Sequence, residues 1–298
     1  RTFFKIQDGC DYSCTFCTIP LARGNSRSQN IQDTVQAVRK TIETEHPGEI
    51  VLTGVNTGEF GRKHKEKFID LIRQLDQIEA PVRFRISSIE PNLLSDDIIH
   101  FVAGSKRFVP HFHIPLQSGS DTILKAMRRR YLKDTYESRV ELIRKTMPDC
   151  CIGVDVIVGF PGETEDAFLE TYTFLRDLDV NYLHVFTYSE RPNTPAIEMD
   201  GVVPDAVRAK RSRMLHILSD KKKRIFYEKN KGREYPVLWE AEKDGEWMYG
   251  FTPNYIKMQT GWNENLVNRV RMARIDSISE ACTAMAKLLP EPAHPALS

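Results

Sequence analysis

Three cysteines fall within eight positions, in the run Cys10-Asp11-Tyr12-Ser13-Cys14-Thr15-Phe16-Cys17. They follow a short β-rich stretch at residues 3–6, so the spacing puts three thiols on one loop directly after a first strand. Thiols this close can wrap a single inorganic centre. A structural zinc ion takes four ligands, and Cys150, Cys151 and Cys282 have no spacing that would match a fourth thiolate. Three thiolates on a [4Fe–4S] cubane leave one iron open, and an open iron can bind a small molecule. A zinc site is the alternative reading. Cys150, Cys151 and Cys282 themselves read as small buried hydrophobes. Six cysteines in 298 residues are too few for a disulfide scaffold, which points to a reducing compartment and a soluble, cytoplasmic protein.

The stretch up to about residue 190 alternates short β-rich runs with amphipathic runs. Strands are expected at 3–6, 50–53, 84–86, 112–114, 154–158 and 183–186. Between them, Ile31, Val35, Val38 and Ile42 recur at helical spacing behind Asn30 as N-cap. Phe68, Leu71, Ile72, Leu75 and Ile78 repeat the pattern, as do Phe168, Tyr172, Leu175 and Leu178 behind Thr164. Six strand–helix units in series imply an α/β fold with a parallel sheet, open or partly closed into a barrel, and chemistry at the carboxyl ends of its strands.

The character changes after Pro204. Residues 204–233 carry eleven Lys or Arg against three acidic residues and read as a long basic helix. The whole chain has a net charge of only +1, which excludes a globally basic nucleic-acid binder but hides this local patch. Residues 235–278 then break into four or five short strands around Asp244-Gly245, Pro253-Asn254 and Gly261, the pattern of a small antiparallel barrel. The expected division is 1–225 for the α/β domain with its connector helix, 226–280 for the barrel and 281–298 for a proline-rich tail. No apolar run approaches the roughly 20 residues that a membrane helix needs. The chain opens without a Met on what reads as a strand, so a fragment of a longer protein is expected.

The cysteine loop at the head of six βα units resembles the radical S-adenosylmethionine (SAM) enzymes. Flanking blocks resemble the methylthiotransferases within that superfamily: Gln7-Asp8-Gly9 before the first cysteine, Thr18-Ile19-Pro20-Leu21-Ala22-Arg23-Gly24 after the last, and Ser26-Arg27-Ser28. Leu52-Thr53-Gly54-Val55-Asn56, Arg85-Ile86-Ser87-Ser88-Ile89-Glu90-Pro91 and His113-Ile114-Pro115-Leu116-Gln117-Ser118-Gly119-Ser120 follow in family order. So do Met127-Arg128-Arg129-Arg130-Tyr131, Gly159-Phe160-Pro161-Gly162-Glu163-Thr164 and Tyr188-Ser189-Glu190-Arg191. The likeness runs from about residue 1 to 280 and is strongest to the branch acting on threonylcarbamoyladenosine in tRNA. The ribosomal-protein branch is the runner-up, and a non-catalytic, metal-stabilised RNA-binding module is the alternative outside this chemistry.

The resemblance implies a partial (β/α)6 radical SAM barrel followed by a small TRAM-like β-barrel that holds tRNA. Cys10, Cys14 and Cys17 would hold a [4Fe–4S] cluster whose open iron chelates SAM. Phe16 would lie against adenine. Gly54 and Asn56 stand at the turn that meets the methionine amino group. Ser88, Glu90, Gln117 and Ser118 sit at carboxyl strand ends, Arg128, with Arg129 and Arg130 beside it, is a candidate for the SAM carboxylate, and Gly159 permits a tight turn after the fifth strand. Lys221, Lys222, Lys223 and Arg224 are the expected RNA contacts, and Trp247, Tyr249, Phe251 and Tyr255 offer aromatic faces, more than half of them expected in the barrel core. Reductive cleavage of SAM would need an electron donor of flavodoxin or ferredoxin type. A second [4Fe–4S] cluster, the sulfur source, is expected only in an N-terminal domain that this chain lacks.

Overall fold

The computed structural model describes residues 1–290. In chain order the first half holds β1 (Thr2–Lys5), β2 (Gln7–Asp8), α1 (Ile19–Arg23), β3 (Arg27–Ser28), α2 (Ile31–Glu45), β4 (Glu49–Thr53), α3 (Phe68–Asp76), β5 (Arg83–Ile86) and α4 (Asp96–Gly104). Then come β6 (His111–Gln117), α5 (Asp121–Ala126), α6 (Lys133–Thr146), β7 (Cys151–Val158), α7 (Glu165–Asp177), β8 (Tyr182–Thr187) and α8 (Asp205–Lys229). The C-terminal part is β9 (Glu234–Asp244), β10 (Trp247–Phe251), β11 (Lys257–Gly261), β12 (Val270–Ile278) and β13 (Ala284–Leu288).

All six expected strands are present, as β1, β4, β5, β6, β7 and β8. They pair in parallel as β1-β4-β5 and β6-β7-β8, and the two sheets meet through a parallel bridge between Ser88 and His113 and a hydrogen bond from Ile89 N to His113 O (3.1 Å). The period-two alternation of a strand separates two faces. Ile50, Leu52, Phe84, Ile86, Phe112, Ile114, Ile152 and Val154 are buried in the cluster shared with the helices. The other face carries Lys5, Arg83, Arg85, His111, His113, Asp155 and His184.

The helices follow from their stripes and caps. The Asn30 side chain accepts from Asp33 N (2.8 Å) and Thr164 Oγ1 from Ala167 N (3.2 Å), contacts that stabilise a helix start by about 1 kcal/mol each. Two further helices, α4 and α6, bury Ile98, Ile99 and Val102, and Tyr136, Val140 and Ile143, and they complete the strand–helix alternation that the six-unit pattern requires.

Strands β9–β13 close into a barrel of order β10-β11-β13-β12-β9. Two boundaries differ from expectation. The strand Ala284–Leu288 lies where a tail was expected, yet it pairs antiparallel with β12 and parallel with β11; with two Ala and one Lys in five residues it shows little hydrophobic patterning. The barrel is therefore not wholly antiparallel. A boundary at residue 225 cuts through α8, whose last turn buries Phe226 and Tyr227 among Val237, Trp239, Met248 and Met258 of the barrel. The remainder of the expected tail, 291–298, lies outside the described residues.

The barrel is locked to the α/β domain at the amino ends of its strands. Arg83 donates to Pro236 O (3.1 Å) and Phe251 O (2.8 Å), and Arg85 to Pro253 O (3.1 Å). Both arginines pair with Glu49, at 2.6 and 2.8 Å. Burial alone would raise the Glu49 carboxyl, but Arg85, Arg83 and Arg1 hold it down at about 2. Among the described residues no helix is long and apolar enough to cross a membrane.

Candidate active site

The cysteine loop starts at Gly9, whose φ of +70° admits only glycine comfortably. A Cβ there would also lie 2.2 Å from Asn25 O. Cys10 N then donates to Gly24 O (3.1 Å) and Cys17 N to Cys14 O (3.2 Å), which curls the loop. Thr15 fastens it to α5: its N–H reaches Met127 O (3.2 Å) and its hydroxyl reaches Ala126 O (2.9 Å). Cys14 is buried, Cys10 and Cys17 half-buried, and all three are free thiols.

Cys10 and Cys14 sit where ionisation is costly without a cation. Burial pushes Cys10 up to about 11, helped by Glu59 and the other two cysteines. Burial also raises Cys14, opposed by Arg129, whose Nη1 donates to the Cys14 sulfur at 3.1 Å. Arg129 in turn ion-pairs with the half-buried Glu90 and donates to Tyr131 Oη (3.1 Å). Arg130 lies 4.1 Å over the Tyr12 ring and donates to Asp11 O (2.7 Å). Among the described residues no three His, Cys, Asp or Glu converge on a single metal ion; in a cubane each thiolate binds a different iron, so its ligands stand apart.

Beside the loop stands a buried polar hub. Gln7 Nε2 donates to Gly9 O (2.8 Å) and Ser26 Oγ (2.9 Å), and its Oε1 accepts from Asn56 N (2.9 Å). Gly54 must be small, because a Cβ would lie 2.9 Å from Gln7 Oε1. The Asn56 side chain is 2% exposed and neither of its amide atoms has a partner. Buried amides are normally bonded, so an unsatisfied donor–acceptor pair joined to the cysteine loop through Gln7 is what a polar ligand would complete. The fit to SAM rests on this group and the three thiols.

The remaining expected residues divide. Phe16 is half-buried and meets Phe160 edge-on at 6.4 Å. Gln117 ends β6 with a φ of +70°. Ser88 meets His113 through its backbone and its carbonyl accepts from Thr57 Oγ1 (2.6 Å). Glu90 is committed to Arg129. Ser118 points away: it is fully buried and its hydroxyl bonds Thr171 Oγ1 of α7 (3.1 Å). Arg128 is exposed in a left-handed conformation, and its neighbours Arg129 and Arg130 are the ones that reach the cysteine loop. Gly159 packs against Arg208, where a Cβ would lie 2.4 Å from Cγ, and its N–H donates to Glu163.

On α8, Lys221 is exposed. Lys222 is not a free cation: its Nζ donates to Arg176 O (3.1 Å) and Leu178 O (2.7 Å), closing the end of α7. Arg224 donates to Ser279 O (3.1 Å) and Glu280 O (2.8 Å) of the barrel. Lys223 lies 5.4 Å from the Tyr227 ring. None of Trp247, Tyr249, Phe251 and Tyr255 is fully buried; Trp239, Met248 and Ile256 fill the core in their place. Of the three consecutive arginines expected near the ligand, Arg129 is the one that reaches a cysteine sulfur, whereas Gln7, the other hub, carries no signal in the sequence beyond its place just before the cysteine loop.

Comparison with known proteins agrees with this geometry. The chain is 38% identical over 281 residues to the threonylcarbamoyladenosine tRNA methylthiotransferase MtaB of Bacillus subtilis, covering 92% of this chain and 62% of that protein. It is 34% identical over 282 residues to the tRNA-2-methylthio-N(6)-dimethylallyladenosine synthase of Carboxydothermus hydrogenoformans, covering 92% and 63%. The chain thus spans just over six-tenths of the length of these relatives. Among solved structures, the radical S-adenosylmethionine methyltransferase TsrM from Kitasatospora setae shares the fold, with a TM-score of 0.56, 16% identity, and coverage of 66% of this chain and 38% of that one. The sequence profile of the radical SAM superfamily matches residues 4–175, the stretch that carries the cysteine loop, the Gln7–Asn56 hub and the first five of the six parallel strands: the chain belongs to the radical SAM superfamily, whose members use a [4Fe–4S] cluster and SAM.

Proposed function

We propose that this chain is the catalytic and RNA-holding part of a tRNA methylthiotransferase acting at C2 of N6-threonylcarbamoyladenosine. The observation that carries the reading is the placement of three free thiols and the unpartnered Asn56 amide at the carboxyl ends of the strands, with a β-barrel fastened at the opposite ends. Similarity to tRNA-modifying relatives extends over both parts.

Cys10, Cys14 and Cys17 would hold the cluster. With SAM bound, the cluster would supply radical chemistry able to take hydrogen from an unactivated C–H. The protein supplies binding, orientation and exclusion of water. Asn56 and Gln117 offer polar groups to SAM, Phe16 a ring face, and Arg129 a fixed positive charge beside the Cys14 thiolate. The substrate is tRNA, which places the protein in the cytoplasm, and the electron comes from a flavodoxin- or ferredoxin-type donor. The sulfur inserted would come from a second cluster held by a further domain. Mass spectrometry of tRNA nucleosides tests the reading: cells lacking the full-length gene should lose 2-methylthio-N6-threonylcarbamoyladenosine and accumulate its unmethylthiolated precursor. An unchanged nucleoside profile contradicts it.

A further inference from the structure

A cavity of about 320 Å³ lies where β7, β8, α8 and the C-terminal barrel meet. It is at the other end of the molecule from the cysteines. Cys151 and Tyr182, the first residues of β7 and β8, are in its wall, whereas the cysteine loop follows the carboxyl end of β1. With β7 eight residues long, the two ends are about 25 Å apart. Whatever this cavity holds is neither SAM nor the base being modified.

Its wall combines aromatic faces with cations. Tyr255 stacks on Phe251 with ring centroids 5.1 Å apart and lies 6.2 Å from Tyr182, which meets His184 at 5.2 Å. Lys223 from α8 and Lys257 from β11 both line the cavity, against one acid, Asp220, and the Lys223 ammonium lies 5.4 Å from the ring of Tyr227, another lining residue. The Lys257 ammonium rests 3.8 Å over the Tyr249 ring, a contact that keeps its charge and leaves its N–H donors available. Flat apolar faces beside paired positive charges match a planar base with a phosphate on either side. The volume is that of the smallest ligand pockets, roughly 300 Å³, enough for one nucleotide and too little for a duplex.

We infer that this cavity is a second RNA subsite, which takes one unpaired nucleotide of the substrate with its base against Tyr182 and Tyr255 and its phosphate between Lys223 and Lys257. The inference rests on the tRNA reading above and adds a point of attachment remote from the reaction centre. A ligand here touches both the α/β domain and the barrel, so the two parts form one RNA-binding face.

The test uses the 298-residue chain and a fluorescent anticodon stem-loop RNA whose unpaired loop contains the adenosine next to the anticodon. Lys223→Glu with Lys257→Glu should weaken binding about tenfold and lower the log–log salt slope by about 0.7 for each single-strand phosphate that is no longer neutralised. Lys223→Arg with Lys257→Arg should restore both, and Lys40→Glu on the exposed face of α2 should change neither. Ultraviolet cross-linking of wild type with peptide mass spectrometry should place a nucleotide on the Tyr182 or Tyr255 peptide. If wild type binds the hairpin and the double Glu variant binds it equally well, the subsite is overturned while the tRNA reading stands. If wild type does not bind the hairpin at any salt concentration, the tRNA reading falls, and the subsite with it.

Discussion

Arg129 places one guanidinium nitrogen 3.1 Å from the sulfur of Cys14 while its other end pairs with the half-buried Glu90. The arrangement puts a fixed cation on one of the three thiols of the loop. It also explains how Glu90 stays inside the protein: burial raises its carboxyl, and Arg129 opposes that rise. Replacing Arg129 by Gln should leave the Glu90 carboxylate uncompensated in a half-buried site, destabilising the domain by about 3 kcal/mol. Combining it with Glu90→Gln should recover part of that loss. Chemical denaturation of the two single variants and the double variant measures the coupling, and additive losses would show that the pair is not an energetic unit.

Cys10→Ala, Cys14→Ala and Cys17→Ala should each abolish formation of 5′-deoxyadenosine, since two thiolates hold a cubane poorly. Cys150 and Cys151 are buried and Cys282 sits in a turn of the barrel, so their Ala variants should keep the reaction. Liquid chromatography of the SAM products separates the two groups. Equal loss on replacing Cys282 would overturn the ligand assignment.

Gln7 acts through its neighbours. Gln7→Glu removes the donors to Asp8 O, Gly9 O and Ser26 Oγ but keeps an acceptor for Asn56 N, whereas Gln7→Ala removes all four hydrogen bonds. KM for SAM should rise in both variants, more in Gln7→Ala, with cluster content preserved. A fall in kcat at unchanged KM would place Gln7 elsewhere in the chemistry.

Glu49 links stability to pH. Its folded carboxyl is held at about 2, below the ordinary value of 4.5, so its contribution is fully present above about pH 4.5 and is lost as pH falls towards 2. The amount is on the order of 3 kcal/mol. Because Arg83 and Arg85 carry this charge to the barrel, acid should loosen the junction. Glu49→Gln should lower stability at pH 7 and flatten its decline between pH 5 and 2; an unaltered decline would mean that other carboxylates dominate.

On α8 the exposed Lys221 and the capping Lys222 should behave differently. Lys221→Glu should leave stability unchanged and lower the salt slope of RNA binding by the amount that one phosphate contributes, about 0.7. Lys222→Glu should cost stability, because it strips the Arg176 and Leu178 carbonyls of their donor. Thermal melts beside binding isotherms distinguish the two, and a Lys222 variant as stable as wild type contradicts the capping role.

The features that could be read from sequence are those with a strict period or spacing. The alternation of strand and helix placed all six parallel strands, and the cysteine spacing located the loop. What was not legible depends on pairings distant in sequence. That Ser118 turns into α7 depends on Thr171, 53 positions away. That Arg129 rather than Arg128 reaches the cysteines depends on a left-handed turn at Arg128, which no composition rule signals. The strand Ala284–Leu288 exists because β11 and β12 leave a gap that it closes, and its own residues barely announce it.

The most direct test of the central claim is anaerobic reconstitution of this chain with iron and sulfide, followed by reduction in the presence of SAM. The protein should turn brown, hold about one [4Fe–4S] cluster per chain and slowly release 5′-deoxyadenosine. It should form no methylthiolated tRNA nucleoside, because these 298 residues offer no second three-cysteine set. A colourless, zinc-containing protein that leaves SAM intact would contradict the assignment of the cysteine loop.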